Sequence, residues 1–224
     1  MDKGQVLFVS GIDTDIGKSY ATAWLAHTFI TEGMEVTTQK PIQTGCENES
    51  DDLCLHDNIL ATLGHTVDPS LEQKRKPHRC SYLFSFPASP HLSASQENAT
   101  IDIKKIDRDT KALMEEHCDM LLIEGAGGLM VPITKEYLTI DFIADRNYPL
   151  CLVTSGRLGS LNHTLLSLEA IEKRNIPLFA LLYNQYSQTD PIIDAETREY
   201  LHRYIADKWP DAGWVDVPDL STSL

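Results

Sequence analysis

Nine residues constrain this chain more than any others. The run Gly11-Ile12-Asp13-Thr14-Asp15-Ile16-Gly17-Lys18-Ser19 follows an apolar, β-prone segment, residues 6–10. It opens a stretch, Lys18–Thr31, in which Trp24, Leu25, Thr28 and Phe29 recur at helical spacing. A strand, a glycine-flanked loop ending in Lys-Ser, and a helix are the context in which backbone N–H groups turn toward phosphate oxygens. Gly11 and Gly17 allow the turn, and the helix start adds positive potential. Lys18 can reach the β- and γ-phosphates of a nucleoside triphosphate, and the Ser19 hydroxyl suits magnesium. Five residues separate the two glycines, one more than in the common motif. A chance glycine turn before Lys-Ser is the blander reading; the flanking strand and helix weigh against it.

The rest of the chain repeats the same alternation. Apolar strands are predicted at Val36–Gln39, residues 120–123, 150–153 and 178–183. Helices are predicted at residues 53–63, 106–118, 161–174 and 195–209, with Gly33 and Gly64 as stops. Continuous apolar strands separated by helices imply an α/β fold of the P-loop NTPase type. Its sheet would be mostly parallel, with helices on both faces. A length of 224 residues fits one domain, residues 1–224. Residues 68–100 carry Pro69, Pro77, Pro87 and Pro90 and little periodicity, and read as a long irregular excursion.

In such sheets ligands bind at the carboxyl ends of the strands. That edge would collect residues 11–19, 40–45, 124–128, 154–162 and Asn184. Lys40-Pro41-Ile42-Gln43-Thr44-Gly45 places a lysine where it could meet a transferring phosphate, although alone it reads as a surface lysine. Asp51-Asp52 could supply a magnesium carboxylate or, behind Ser50, an acidic helix start. Glu124-Gly125-Ala126-Gly127-Gly128 puts a carboxylate at the end of a buried strand, with glycines that admit close approach of backbone to ligand. Arg157 to His163 join a strand to a helix whose first N–H groups could hold a carboxylate; His163 itself reads as a satisfied structural histidine.

Charge and composition remove other classes. The net charge is −14, with no basic stripe to neutralise nucleic-acid phosphates. The cluster Lys74-Arg75-Lys76, followed by His78 and Arg79, reads as a solvated loop. No run approaches the ~20 apolar residues of a membrane span, and the N-terminus shows no cleavage signal, so a cytoplasmic protein is expected. Five cysteines without paired CxxC spacing suggest reduced thiols, neither a disulfide framework nor a zinc site.

Taken together and in this order, the motifs resemble those of the dethiobiotin synthetases, from Val6 to about Asn184. They are the phosphate loop with Asp13-Thr14 inside it, Lys40-Pro41-x-x-Thr44-Gly45, Glu124-Gly125-Ala126-Gly127-Gly128 and Leu158-Gly159-x-x-Asn162-His163. Ser89-Pro90-His91 also looks like a family element beside the substrate site. The resemblance implies ATP- and magnesium-dependent ring closure. Carbon dioxide and 7,8-diaminopelargonic acid form a carbamate, which is phosphorylated and closed to dethiobiotin. It implies catalytic roles for Lys18, Lys40 and Thr14. Nucleotide contacts would come from Asp15, Ile16, Gly17, Lys18, Ser19, Tyr20, Glu124, Gly125, Ala126, Gly127 and Asn184, the last at the adenine edge. The metal would be held by Ser19, Glu124 and either Asp51 or Asp52. Thr44, Ser160, Leu161 and Asn162 would bind substrate, the segment at 160–162 acting across a homodimer interface. Ser19 stands where threonine is commoner, and Arg157 where some members carry lysine. Val217-Pro218-Asp219 could be the remnant of a nucleotide-contacting loop.

Competing readings fit less of the chain. A partitioning-type switch ATPase would carry a second lysine early in the loop, where Ile12 and Asp13 stand. A non-hydrolysing scaffold would be expected to lose Lys18, Lys40 or Glu124. A small-molecule kinase shares the phosphate loop and leaves the later motifs unexplained.

Overall fold

The computed structural model describes residues 4–66, 68–116, 118–185 and 190–219. The chain opens with β1 (Gln5–Gly11), α1 (Lys18–Thr31), β2 (Val36–Gln39), the short β3 (Ile42–Thr44) and α2 (Asp51–Thr62). Then come α3 (Pro69–Arg79), β4 (Tyr82–Phe84), α4 (Pro90–Gln96) and α5 (Ile103–Glu115). The second half holds β5 (Met120–Gly128), β6 (Pro132–Thr134), β7 (Tyr137–Leu138), α6 (Thr139–Asp145) and β8 (Leu150–Ser155). It ends with α7 (Ser160–Lys173), β9 (Leu178–Asn184), α8 (Pro191–Lys208) and β10 (Gly213–Val217).

The central sheet has six strands in the order β10-β9-β8-β1-β5-β2, and every neighbouring pair is parallel. Side chains alternate between its faces, as strand geometry requires. Leu7, Val9, Leu122, Val153 and Leu182 point to one face, where Ala21, Leu25 and Phe29 of α1 cover them. Phe8, Leu121, Ile123, Leu152 and Leu181 point to the other, packed with Ile106 and Leu113 of α5, Phe142 of α6 and Leu168 of α7. Both faces are therefore dry, and all strand carboxyl ends open on one edge.

Several expectations need correction. Residues 68–100 are not irregular: they hold α3, β4 and α4. Two of their prolines start helices instead of breaking them: Pro69 and Pro90 occupy the first turn, where no N–H is needed, while Pro77 lies inside α3. The Asp68 side chain caps α3 by accepting from Ser70 N. Nor is the basic cluster a solvated loop. Arg75 and Arg79, one turn apart, are buried, while Lys74 and Lys76 face water. Arg79 donates to both Asp57 oxygens, to Glu72 and to the Thr38 carbonyl, tying α3 to α2 and β2. β5 continues past Ile123 to Gly128, and its partner register with β1 shifts between Val9 and Gly11. His163 is exposed on α7, not a buried structural residue. The segment containing Val217-Pro218-Asp219 begins with a sixth sheet strand, β10. Among the described residues no helix is long and apolar enough to cross a membrane, and the five cysteines are unpaired.

Candidate active site

The loop after β1 is held from below. Gly17 ends it with φ 87° as the N-cap of α1, and no side chain caps that helix. The Asn184 amide, at the end of β9, donates to the Ile16 carbonyl (2.9 Å). A Cβ at position 17 would collide with that amide, so the glycine answers both a left-handed φ and a close approach. Asp15 also has a positive φ, 55°. Lys18 Nζ folds back onto the Asp13 carbonyl (3.1 Å), and the Asp13 carboxylate meets Arg157 at 3.0 Å. The result is a preformed cradle over a cavity of about 430 Å³. Thr14, Asp15, Gly17, Lys18, Ser19 and Tyr20 line one wall; Lys40, Thr44, Asp52, Glu124, Ala126 and Gly127 line the other.

At its floor lies a cluster of charges. Lys40 follows β2 and is 4% exposed; its Nζ donates to Asp52 (2.6 Å), Glu124 (2.8 Å) and the Gly125 carbonyl (3.0 Å). Those partners account for all three ammonium hydrogens. Ser19 Oγ lies 2.9 Å from Asp52 Oδ1 and 3.0 Å from Glu124 Oε1. On the far side, His56 Nε2 stands 2.8 Å from Glu124 Oε2. Burial works against both charges, but Glu124 and Asp52 outweigh it and raise the Lys40 pKa. Likewise burial would raise Glu124, and Lys40 with His56 overrides it to hold the carboxyl well below its usual range. Lys18 goes the other way: burial lowers its pKa more than Glu124 raises it, and Lys40 adds repulsion.

Helix phase separates the two candidate aspartates. Ser50 caps α2, accepting from Leu53 N (3.2 Å) and donating to Gln43 Oε1 (2.6 Å). From that anchor Asp52 turns into the cavity and Asp51 out to solvent. His56 follows Asp52 by four residues and so shares its face. No sequence motif contains His56; its four-residue spacing from Asp52 is the only sign of it in the sequence. Ser160, Leu161 and Asn162 open α7, and none of them lines this cavity. Asn184 is buried beneath the loop. Pro90 reaches a small adjoining cavity together with Glu124, Gly125 and Ala126.

The donor set fits a hard divalent cation shared with phosphate. Two carboxylates and a hydroxyl supply only oxygen, and they already surround a positive charge, the Lys40 ammonium. Among the described residues no cluster of three or more His, Cys, Asp or Glu could cage a metal by itself. Magnesium normally takes one or two carboxylates and completes its shell with phosphate and water.

A parallel sheet with a lysine-bearing glycine loop between its central strand and a helix, and a carboxylate on the next strand, defines a P-loop nucleotide-binding protein. A family model described as "AAA domain" matches residues 5–206. The chain is 43% identical to ATP-dependent dethiobiotin synthetase BioD 2 of Pasteurella multocida (strain Pm70), over 96% of this chain and 98% of that one. It is 46% identical to ATP-dependent dethiobiotin synthetase BioD of Chlorobaculum tepidum, over 99% and 89%. The chain belongs to the dethiobiotin synthetase family and is therefore an enzyme, a ligase. Among solved structures, the signal recognition particle receptor FtsY from Elizabethkingia anophelis in complex with GDP aligns with a TM-score of 0.53 at 15% identity. That match covers 98% of this chain and 58% of the FtsY chain. The MinC:MinD cell division complex of Aquifex aeolicus aligns with a TM-score of 0.50, also at 15%, covering 98% and 84%. At such identity these two matches speak for the fold alone.

Proposed function

We propose that this enzyme closes 7,8-diaminopelargonic acid and carbon dioxide to dethiobiotin, with ATP as co-substrate; its relatives are named ATP-dependent dethiobiotin synthetases. The observation that carries this reading is the convergence of Lys18, Lys40, Ser19, Asp52 and Glu124 on one cavity. One amine of the substrate adds to carbon dioxide and loses a proton, giving a carbamate. A carbamate oxygen attacks the γ-phosphorus and ADP leaves. The second amine then attacks the carbonyl carbon, closing the ureido ring and expelling phosphate.

Phosphoryl transfer of this kind asks mainly for position and charge neutralisation. The backbone from Asp15 to Tyr20 cradles the phosphates at the uncapped start of α1. Lys18, half-turned onto Asp13, swings to the β- and γ-phosphates. Lys40 neutralises the oxygens of the transferring group. Ser19, Asp52 and Glu124 hold magnesium, which when bound offsets phosphate charge. Thr14 and Thr44, on facing walls, orient the carbamate by hydrogen bonds. The backbone at Gly125, Ala126 and Gly127 borders the nucleotide, and Asn184 completes its base end. Ser160, Leu161 and Asn162 receive the substrate carboxylate of a partner chain in a homodimer. Residues 1–224 act as one domain in this scheme.

The test is phosphate release from MgATP with bicarbonate, with and without diaminopelargonic acid, and mass spectrometry of the product. Diamine-dependent release with dethiobiotin formed is the expected result. Release indifferent to the diamine would overturn the assignment and leave a kinase or switch ATPase.

A further inference from the structure

His56 has a setting that packing alone does not explain. It is wholly buried on α2, and among the described residues its ring makes one hydrogen bond, from Nε2 to Glu124 Oε2 (2.8 Å). A carboxylate oxygen accepts, so Nε2 carries the hydrogen. Nδ1 on the opposite side of the ring is buried and has no hydrogen-bond partner among the described residues. A side chain that merely filled this volume would serve better as leucine or phenylalanine, which strand no polar atom. The ring's return on that cost lies at Glu124.

Glu124 divides its two oxygens between two tasks. Oε1 faces the cavity side, with Ser19 Oγ at 3.0 Å and Lys40 Nζ at 2.8 Å. Oε2 faces away and meets His56. With Oε2 tied, the carboxylate plane cannot rotate about its terminal bond, which is otherwise a soft torsion. We infer that His56 is a positioning residue: its hydrogen bond to Oε2 keeps Oε1 of Glu124 presented to the cation at the cavity floor. Because Asp52 and His56 lie four apart on α2, a single helix then sets both carboxylate arms, one directly and one through the ring. This rests on the reading of Glu124 as a magnesium ligand. Outer partners of metal ligands act in this way, and their loss typically weakens metal affinity 10–100-fold.

The experiment is calorimetric titration of the purified chain with the non-hydrolysable β,γ-imido analogue of ATP, in EDTA and across a magnesium series. Wild type is expected to bind more tightly with magnesium; indifference there would sink the Glu124 reading itself, before His56 is reached. Given a magnesium response in wild type, His56→Leu should raise the half-saturating magnesium concentration about tenfold. Its affinity in EDTA should stay unchanged, since the cradle around the phosphates does not involve His56. His56→Gln, whose terminal amide can reach Oε2, should restore most of the response, and His56→Asn, one methylene shorter, should not. The Gln and Asn pair decides the matter even if His56→Leu fails to fold. Equal magnesium requirements in those two variants, with wild type responsive, would overturn the inference.

Discussion

At the residue scale, the lysine after β2 does two jobs whose effects separate by measurement. Lys40 screens Asp52 and Glu124 from each other, so removing it leaves a buried carboxylate without its counter-charge. Lys40→Ala is expected to cut turnover at least ~100-fold and to cost about 3 kcal/mol of stability. Urea unfolding in EDTA reads the second effect, and added magnesium should recover part of it by binding the folded state. An unchanged midpoint would show that the pair carries no net stability. The two aspartates give a sharper contrast. Asp52→Asn should raise the magnesium requirement about tenfold, whereas Asp51→Asn should cost only the ~0.5 kcal/mol of a charge at a helix start. Equal effects would mean that α2 sits in another phase. Lys18, Ser19, Lys40 and Glu124 were legible because each follows a predicted strand or opens a helix. The choice between Asp51 and Asp52 was not, because it depends on the Ser50 cap, which fixes the helix phase. His56 was hidden for another reason: a lone histidine among Leu53, Leu55 and Ile59 looks like core until Glu124 is brought to it across 68 residues of sequence.

At the element scale, α3 escaped notice because the signals that normally mark a helix are inverted there. It is polar almost throughout, contains Pro77, and buries two arginines in place of an apolar stripe. Its partner α5 carries a conventional stripe and was found. One junction between them is Asp109, which accepts from His78 of α3 (2.9 Å), from Ser81 just beyond it (2.7 Å) and from Lys105 on its own helix (2.6 Å). Burial pushes its pKa up, but those three bonds prevail and hold it below the ordinary carboxylate value. A depressed folded-state pKa contributes stability that is present above the unfolded value and lost as pH falls through the folded one. Asp109→Asn should therefore cost about 2 kcal/mol near neutral pH. That deficit should shrink as the pH drops below the ordinary aspartate range, where wild type loses the same ionised contacts. Urea midpoints for both proteins from pH 7 down to pH 3 would test this. A deficit that stayed constant with pH would mean that Asp109 acts through its shape and not its charge.

At the scale of the whole molecule, the parallel sheet explains why motifs scattered over the chain could be read as one site. Every strand of the central sheet ends on the same edge, and β1, β5 and β2 are neighbours there, so residues 11–19, Glu124 and Lys40 meet on it. The order itself, with β10 added outside β9, was not legible, since a five-residue strand near the end of the chain has no distinctive pattern. The same edge leaves one group of expected site residues apart. Ser160, Leu161 and Asn162 do not border the cavity that holds Lys18 and Lys40. Beside them Leu158 and Leu166 are 79% and 57% exposed, as suits a surface covered by a second copy. If α7 of one chain serves the cavity of the other, two separately inactive variants should complement. Lys18→Ala disables the phosphate cradle, and Leu161→Glu sets a negative charge where a substrate carboxylate would sit. In a mixed two-fold dimer one site collects both defects and the other collects neither. Random exchange at equal concentrations should then restore ~25% of wild-type activity, since half the dimers are mixed and each has one intact site. Co-refolding the two variants and assaying dethiobiotin formation makes the measurement. Activity no higher than the sum of the parents, with exchange verified by a tagged chain, would show that each site is built from a single chain, and α7 would then lose its place in substrate binding.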